Sequence, residues 1–216
     1  MVECGRRSCV RAVEYRRRMA AGERIGVFGG TFDPPHVGHL VTAVGVRHAL
    51  GLDRLLLVVA NEPWQKVGSR PISPARDRLA MVEAAVAGVS GLEACALEIE
   101  RGGPSYTADT LVDLGDRHPG AELVLVLGAD AAAGLDTWER VEEVRALASL
   151  AVVDRPGAGP STVPPGWDWT HVEVPHLEVS STDLRDRVAD GRPLDYLLPP
   201  AVISCVRERR LYRGSA

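Results

Sequence analysis

The chain has 216 residues, 45% hydrophobic and 25% charged, which suits one large α/β domain with a substantial core. Its net charge of −4 argues against general nucleic-acid binding through a basic surface. No run of about 18 apolar residues occurs, so no membrane span is expected.

Residues 1–24 hold seven Arg and three acids, a net +4 that leaves −8 on the rest. This segment has no apolar h-region and is no secretory signal. A disordered or partly helical extension is the preferred reading of 1–24, with the domain at 25–216; a natural start at Met19 is the alternative. The cysteines Cys4, Cys9, Cys95 and Cys205 form no C-x-x-C pair, which reads as reduced thiols in a cytoplasmic protein.

Residues 25–28 read as a buried strand and 41–50 as a helix. Residues 55–60 are apolar enough for a central strand covered on both faces. A loop over 61–73 ends in the helix start Ser73-Pro74, and a helix is expected over 75–87. Residues 94–99 alternate like a strand. A helix over 105–117, a strand over 123–127, a helix over 137–148 and a strand over 150–153 follow. Segment 155–170 is a Pro/Gly-rich loop, expected to be mobile. A short strand over 172–174 leads to the capping run Ser180-Ser181-Thr182-Asp183, and a last helical piece lies near 200–209. Alternating strands and helices predict a Rossmann-like, doubly wound parallel sheet in a single domain, with a small C-terminal helical piece.

Chemistry concentrates in Gly29-Gly30-Thr31-Phe32-Asp33-Pro34-Pro35-His36-Val37-Gly38-His39-Leu40. A glycine pair leaving the first strand lets the backbone approach a phosphate, and the next helix aims free N–H groups at the same place. His36 and His39 stand three residues apart, on one face of that helix start. A turn whose glycines serve packing alone is the plain alternative. Half of a His-x-x-His metal site is another, but no third ligand stands in an obvious spacing, so no metal-ligating residue is expected. Gly128-Ala129-Asp130 follows an apolar strand and should face the same crevice. Asp130 there either accepts hydrogen bonds from a ribose diol or caps a helix.

This glycine–histidine run resembles the (T/S)xxHxGH signature of the nucleotidylyltransferase superfamily, in the form GGTFDPxHxGHL. Val179 to Arg185 is similar to its second signature, ISSTxIR. Lys66, in EPWQK, matches a family lysine found in PPHK in many relatives; the EPWQK form is similar to actinobacterial members. Arg78 falls in a segment similar to the family's RLxM helix, where an exposed structural role and a functional one are equally open. Arg101 to Leu111 resembles the RxxPSYTxxTL segment of bacterial nicotinate mononucleotide adenylyltransferases. Gly128, Asp130 and Trp138 match their GxD…W pattern, and residues 191–212 their GRxxxYLVPxxV…LY ending. The likeness spans roughly residues 25–212.

The resemblance implies transfer of AMP from ATP to nicotinate mononucleotide. It assigns catalysis to His36, His39, Lys66 and Arg185. ATP is expected on Gly29, Gly30, Thr31, Phe32, His36, His39, Gly128, Asp130, Ser180, Ser181, Thr182 and Arg185. The mononucleotide is expected on Asp33, Lys66, Tyr106, Thr107, Trp138 and Arg155. Mg²⁺ is expected on ATP phosphates and water rather than in a carboxylate cage. ATP and the mononucleotide are the expected partners, with no nucleic acid and no membrane; a homo-oligomer is left open. Alternatives are a different acceptor, phosphopantetheine or nicotinamide mononucleotide, or a nucleotide sensor that has lost catalysis.

Overall fold

The apolar strands divide their side chains between two cores. Leu56 and Val58 pack with Ile25, Val27, Leu125 and Leu127 on one face, while Leu55, Leu57 and Val59 pack with Val124 and Val126 on the other. Strands buried on both faces read as continuous apolar runs, and a parallel sheet between helical layers is what such runs build. The computed structural model describes residues 22–63, 72–154, 163–175 and 177–213.

The strands are β1 (Arg24–Gly30), β2 (Arg54–Val59), β3 (Leu92–Cys95), β4 (Glu122–Gly128), β5 (Ser149–Asp154) and β6 (Trp169–Glu173). All neighbours are parallel, in the order β3-β2-β1-β4-β5-β6. The winding reverses between β1 and β4, which opens a crevice beyond their carboxyl ends. The helices are α1 (Val37–Leu50), α2 (Ala75–Val86), α3 (Leu97–Arg101), α4 (Thr107–Arg117), α5 (Ala129–Ala133), α6 (Val141–Leu147), α7 (Ser181–Ala189) and α8 (Pro200–Glu208). Helices α3 to α6 cover one face through Leu97, Leu111, Leu114, Ala132 and Val144; α1 and α2 cover the other through Ala43, Val46 and Val82. The C-terminal piece is a third cluster, in which Leu184 of α7 and Val202, Ile203 and Val206 of α8 bury Met81 and Ala85 of α2. Among the described residues no helix is long and apolar enough to cross a membrane.

Three expectations need correction. The strand expected over 94–99 is β3 ending at Cys95, then the short helix α3 from Leu97. The helix expected over 137–148 is shorter: Leu135–Thr137 is a 3₁₀ turn, Trp138 is extended, Arg140 is left-handed at φ 54°, and α6 starts at Val141. The last strand is β6, so Trp169 and Thr170 belong to the sheet rather than to the loop expected over 155–170. Residues 155–162 of that loop, and residues 1–21 of the extension, lie outside the described residues.

Candidate active site

Gly29 and Gly30 end β1 at the crevice. A Cβ on Gly29 would meet nothing within 4 Å, so no neighbouring atom requires glycine there; the gap is open to a ligand. Phe32 takes a left-handed φ of 49°, uncommon for a bulky residue, and only 3% of its surface is exposed. Its ring meets Phe28 edge-on at 5.8 Å and His39 at 5.1 Å. His36 is the N-cap of α1, and its backbone N–H donates to His39 Nδ1 at 3.2 Å. A neutral His39 accepting at Nδ1 carries its proton on Nε2. The two imidazoles stack with centroids 3.7 Å apart. Gly38 makes room for this stack, since a Cβ there would lie 3.0 Å from His36 Nδ1. Burial pushes the His36 imidazole down to about 4, and its Nδ1 is buried without a hydrogen-bond partner.

Three further elements hold this loop. Arg78 of α2, 1% exposed, donates to the carbonyls of Thr31 (2.9 Å), Asn61 (3.0 Å) and Ser73 (2.9 Å). It therefore clips the loop after β1 to the loop after β2, and the exposed reading of this residue is overturned. From α7, the Ser181 hydroxyl donates to the Pro34 carbonyl at 2.9 Å and Arg185 to the Asp33 carbonyl at 2.9 Å. The same guanidinium donates to Thr182 Oγ1 at 3.1 Å, and Ser180 caps α7 by accepting the Asp183 N–H at 3.1 Å. From the tail, the Tyr212 hydroxyl donates to Asp33 Oδ1 at 2.7 Å. Burial, with the Asp33 carboxylate second, raises the Tyr212 phenol above its ordinary value. Asp33 is 1% exposed, and its other oxygen accepts the Ser73 N–H at 3.4 Å.

The crevice is a cleft of about 240 Å³. Its walls join Gly29, Gly30 and Thr31 to Tyr106, Thr107 and Trp138. The wall after β3 is stitched to the loop after β2: Ser105 Oγ accepts the Asn61 N–H at 2.8 Å, and the Ser105 N–H donates to the Glu62 carbonyl at 3.1 Å. Tyr106 is the N-cap of α4, so that helix opens its unpaired N–H groups at the cleft wall. Arg140 pairs with Asp109 of α4 and Glu143, holding the turn that carries Trp138. Gly128 ends β4, and Asp130 is an exposed residue in the first turn of α5.

The expected residues thus fall into two groups. Gly29, Gly30, Thr31, Tyr106, Thr107 and Trp138 line one cleft. Phe32, His36 and His39 follow Thr31 on the loop and helix start next in the chain, and Ser181 and Arg185 hydrogen-bond to that loop from α7, with Arg185 and Asp33 lining a separate cavity; none of these, nor Asp130, is among the cleft-lining residues. Trp64, Lys66 and Arg155 lie outside the described residues. Sequence reasoning missed the clips made by Arg78 and Tyr212 and the buried wall residue Glu98, 7% exposed. The tail motif around Tyr212 was visible, but its partner 179 positions earlier was not. No cluster of three His, Cys, Asp or Glu able to hold a metal occurs among the described residues.

A parallel sheet with a glycine–histidine cradle at its switch point is the architecture of a nucleotidyl-transferring enzyme, and residues 27–187 match the cytidylyltransferase-like family. Similarity to named relatives narrows this. The chain is 43% identical over 195 residues to a "probable nicotinate-nucleotide adenylyltransferase" of Corynebacterium kroppenstedtii, covering 89% of this chain and 92% of that one. It is 44% identical over 188 residues to the protein so named in Streptomyces coelicolor, covering 86% and 99%. The chain belongs to the nicotinate-nucleotide adenylyltransferase family, a family of nucleotidyltransferases. Its fold matches the Plasmodium falciparum nicotinic acid mononucleotide adenylyltransferase complexed with NaAD, at TM-score 0.69 and 17% identity over 88% of this chain and 97% of that one. At that identity the likeness speaks for the fold alone.

Proposed function

We infer that this enzyme transfers AMP from ATP to nicotinate mononucleotide, forming nicotinate adenine dinucleotide and pyrophosphate. The observation that carries this reading is the cleft itself, which joins the Gly29–Thr31 cradle to the Tyr106, Thr107 and Trp138 wall. The mononucleotide phosphate attacks the α-phosphorus of ATP in line. A P–O bond forms to the acceptor phosphate, and the bond to the β-phosphate oxygen breaks, so pyrophosphate leaves with that electron pair. The nucleophile is already anionic, so no general base is needed and catalysis is positioning and charge stabilisation.

The open space at Gly29 suits a phosphate chain. His36 and His39 contact ATP phosphates, while Thr31 and the Gly29–Phe32 backbone hold the nucleotide. Ser180, Ser181 and Thr182 open α7 toward the β- and γ-phosphates, and Arg185 neutralises charge building on pyrophosphate. Lys66 and Arg155 are assigned alongside from the family motif. Gly128 and Asp130 are assigned to the ribose from the family motif, since neither is among the residues lining the cleft. Tyr106 and Thr107 offer α4 N–H groups to the nicotinate carboxylate, and Trp138 offers its ring to the pyridine. For Asp33, the hydrogen bonds from Tyr212 and Ser73 favour shaping the loop over touching the mononucleotide. Mg²⁺ would be held by ATP phosphates and water rather than by a carboxylate cage, and would supply charge neutralisation on the triphosphate. A cytoplasmic location agrees with Cys95 and Cys205 standing as free thiols.

The test is pyrophosphate release with ATP, Mg²⁺ and, in parallel, nicotinate mononucleotide, nicotinamide mononucleotide or phosphopantetheine. Fast release with nicotinate mononucleotide alone is expected. Equal rates with the nicotinamide form would remove the nicotinate assignment, and ATP binding with no release would favour a sensor.

A further inference from the structure

We propose that Glu98 makes the acceptor pocket selective for a cationic pyridinium ring; this rests on the reading of the reaction given above. Glu98 lies in α3, 7% exposed, and is among the residues that line the cleft with Ser105, Tyr106, Thr107 and Trp138. A carboxylate withdrawn from water is costly unless something answers it. The answer from the protein is small. The Thr110 hydroxyl donates to Glu98 Oε1 at 2.6 Å. The nearby guanidinium of Arg101 is committed elsewhere, pairing with Asp113 at 2.8 Å and reaching only as far as Thr110 Oγ1 at 3.3 Å. Among the described residues, the carboxylate in this wall is thus met by one neutral donor.

Nicotinate mononucleotide carries both signs on one ring: a carboxylate, and a quaternary nitrogen where the ribose joins. The α4 N–H groups at Tyr106 and Thr107 suit the carboxylate. They do nothing for the ring cation. Trp138 can hold either a charged or a neutral ring by stacking, with a modest preference for the cation. Glu98 distinguishes the two strongly, because attraction between opposite charges grows as the walls exclude water. On a neutral ring the same carboxylate would remain buried without a cationic partner.

The experiment compares nicotinate mononucleotide with its isostere in which carbon replaces the ring nitrogen, leaving the ring neutral and the carboxylate and phosphate in place. With ATP and Mg²⁺, the wild-type enzyme should favour the cation by about tenfold or more in kcat/KM, chiefly through KM. Glu98→Gln keeps an acceptor for Thr110 and removes the charge; it should cut that preference by about fivefold or more. Thr110→Val removes the hydrogen bond but keeps the carboxylate, and should leave the preference within about twofold. A purely structural Glu98 would raise KM for both acceptors alike and leave their ratio unchanged. That result, or a wild-type preference below about twofold, would overturn the proposal. A wild-type preference below that limit overturns the proposal without any substitution, so the proposal stays falsifiable even if Glu98→Gln fails to fold. Absence of turnover with nicotinate mononucleotide in the wild type would overturn the underlying reaction instead.

Discussion

His36 and His39 lie ring on ring, yet their chemistry diverges with their surroundings. His36 is 7% exposed, and burial brings its imidazole to about 4, so at neutral pH it is an uncharged donor rather than a cation. The sign of the linked effect follows. Between pH 6.5 and about 4 the unfolded chain binds a proton that the folded chain refuses, so stability falls as the pH falls through that window. The loss is on the order of 3 kcal/mol at its full extent. Urea unfolding at pH 7 and pH 4.5 should show it, and His36→Gln should flatten the difference between the two by about 2 kcal/mol. His39 has the other task. Its Nδ1 holds the start of α1, which leaves Nε2 to donate to a phosphate. His39→Ala should lower kcat by about a hundredfold or more with an unchanged circular dichroism spectrum. Near-normal turnover would remove its assigned role. The three-residue spacing of the pair was legible in the sequence. The charge state of His36 was not, because it depends on what covers the ring after folding.

At the level of elements, the sheet and most helices were legible because both faces of the strands are buried and apolar runs alternate with helical ones, with α7 also starting on the capping residue Ser180. The failures are local. Leu97 and Ile99 are two apart and apolar, which reads as strand alternation, but β3 is an edge strand that pairs with β2 only as far as Cys95. The chain then turns into α3, which places Glu98 in the cleft wall. Likewise, an apolar helical period over 137–148 gave no sign of the left-handed Arg140, held by Asp109 from another helix. That break keeps Trp138 out of α6 and at the cleft. Arg78 belongs to the same scale, since it joins the ends of three elements rather than a ligand. Arg78→Met should orphan three carbonyls, cost roughly 3–5 kcal/mol and lower Tm by about 10 °C. ATP affinity should weaken as well, because Thr31 loses its tether. A melt within about 2 °C of the wild type would show that the clip carries little.

Across the whole molecule, the cradle is shaped by residues from both ends of the chain. Tyr212, itself left-handed at φ 60°, reaches Asp33 from the C-terminal tail, while Ser181 and Arg185 hold the adjacent carbonyls. The tail rests on the third core, where Leu211 and Tyr212 pack against the cluster formed by α2, α7 and α8. The C-terminal piece thus fixes the loop that carries His36. Because burial and the Asp33 carboxylate both raise the phenol, Tyr212 stays a donor throughout the working pH range. Tyr212→Phe keeps the ring and removes only the donor. A hydrogen bond to a carboxylate contributes about 1.5–3 kcal/mol, and Asp33, 1% exposed, cannot recover it from water. Stability should fall by about that amount, and the KM for ATP should rise severalfold as the cradle loosens, with kcat less affected. Asp33→Asn should weaken the same bond from the other side. If the two residues act as one clamp, the double variant should be little worse than either single one, with a coupling of about 1 kcal/mol or more in denaturant unfolding. Strict additivity would instead mean that the tail stabilises α2 and α8 without reaching the cradle, and the effect of Tyr212→Phe on ATP would then vanish.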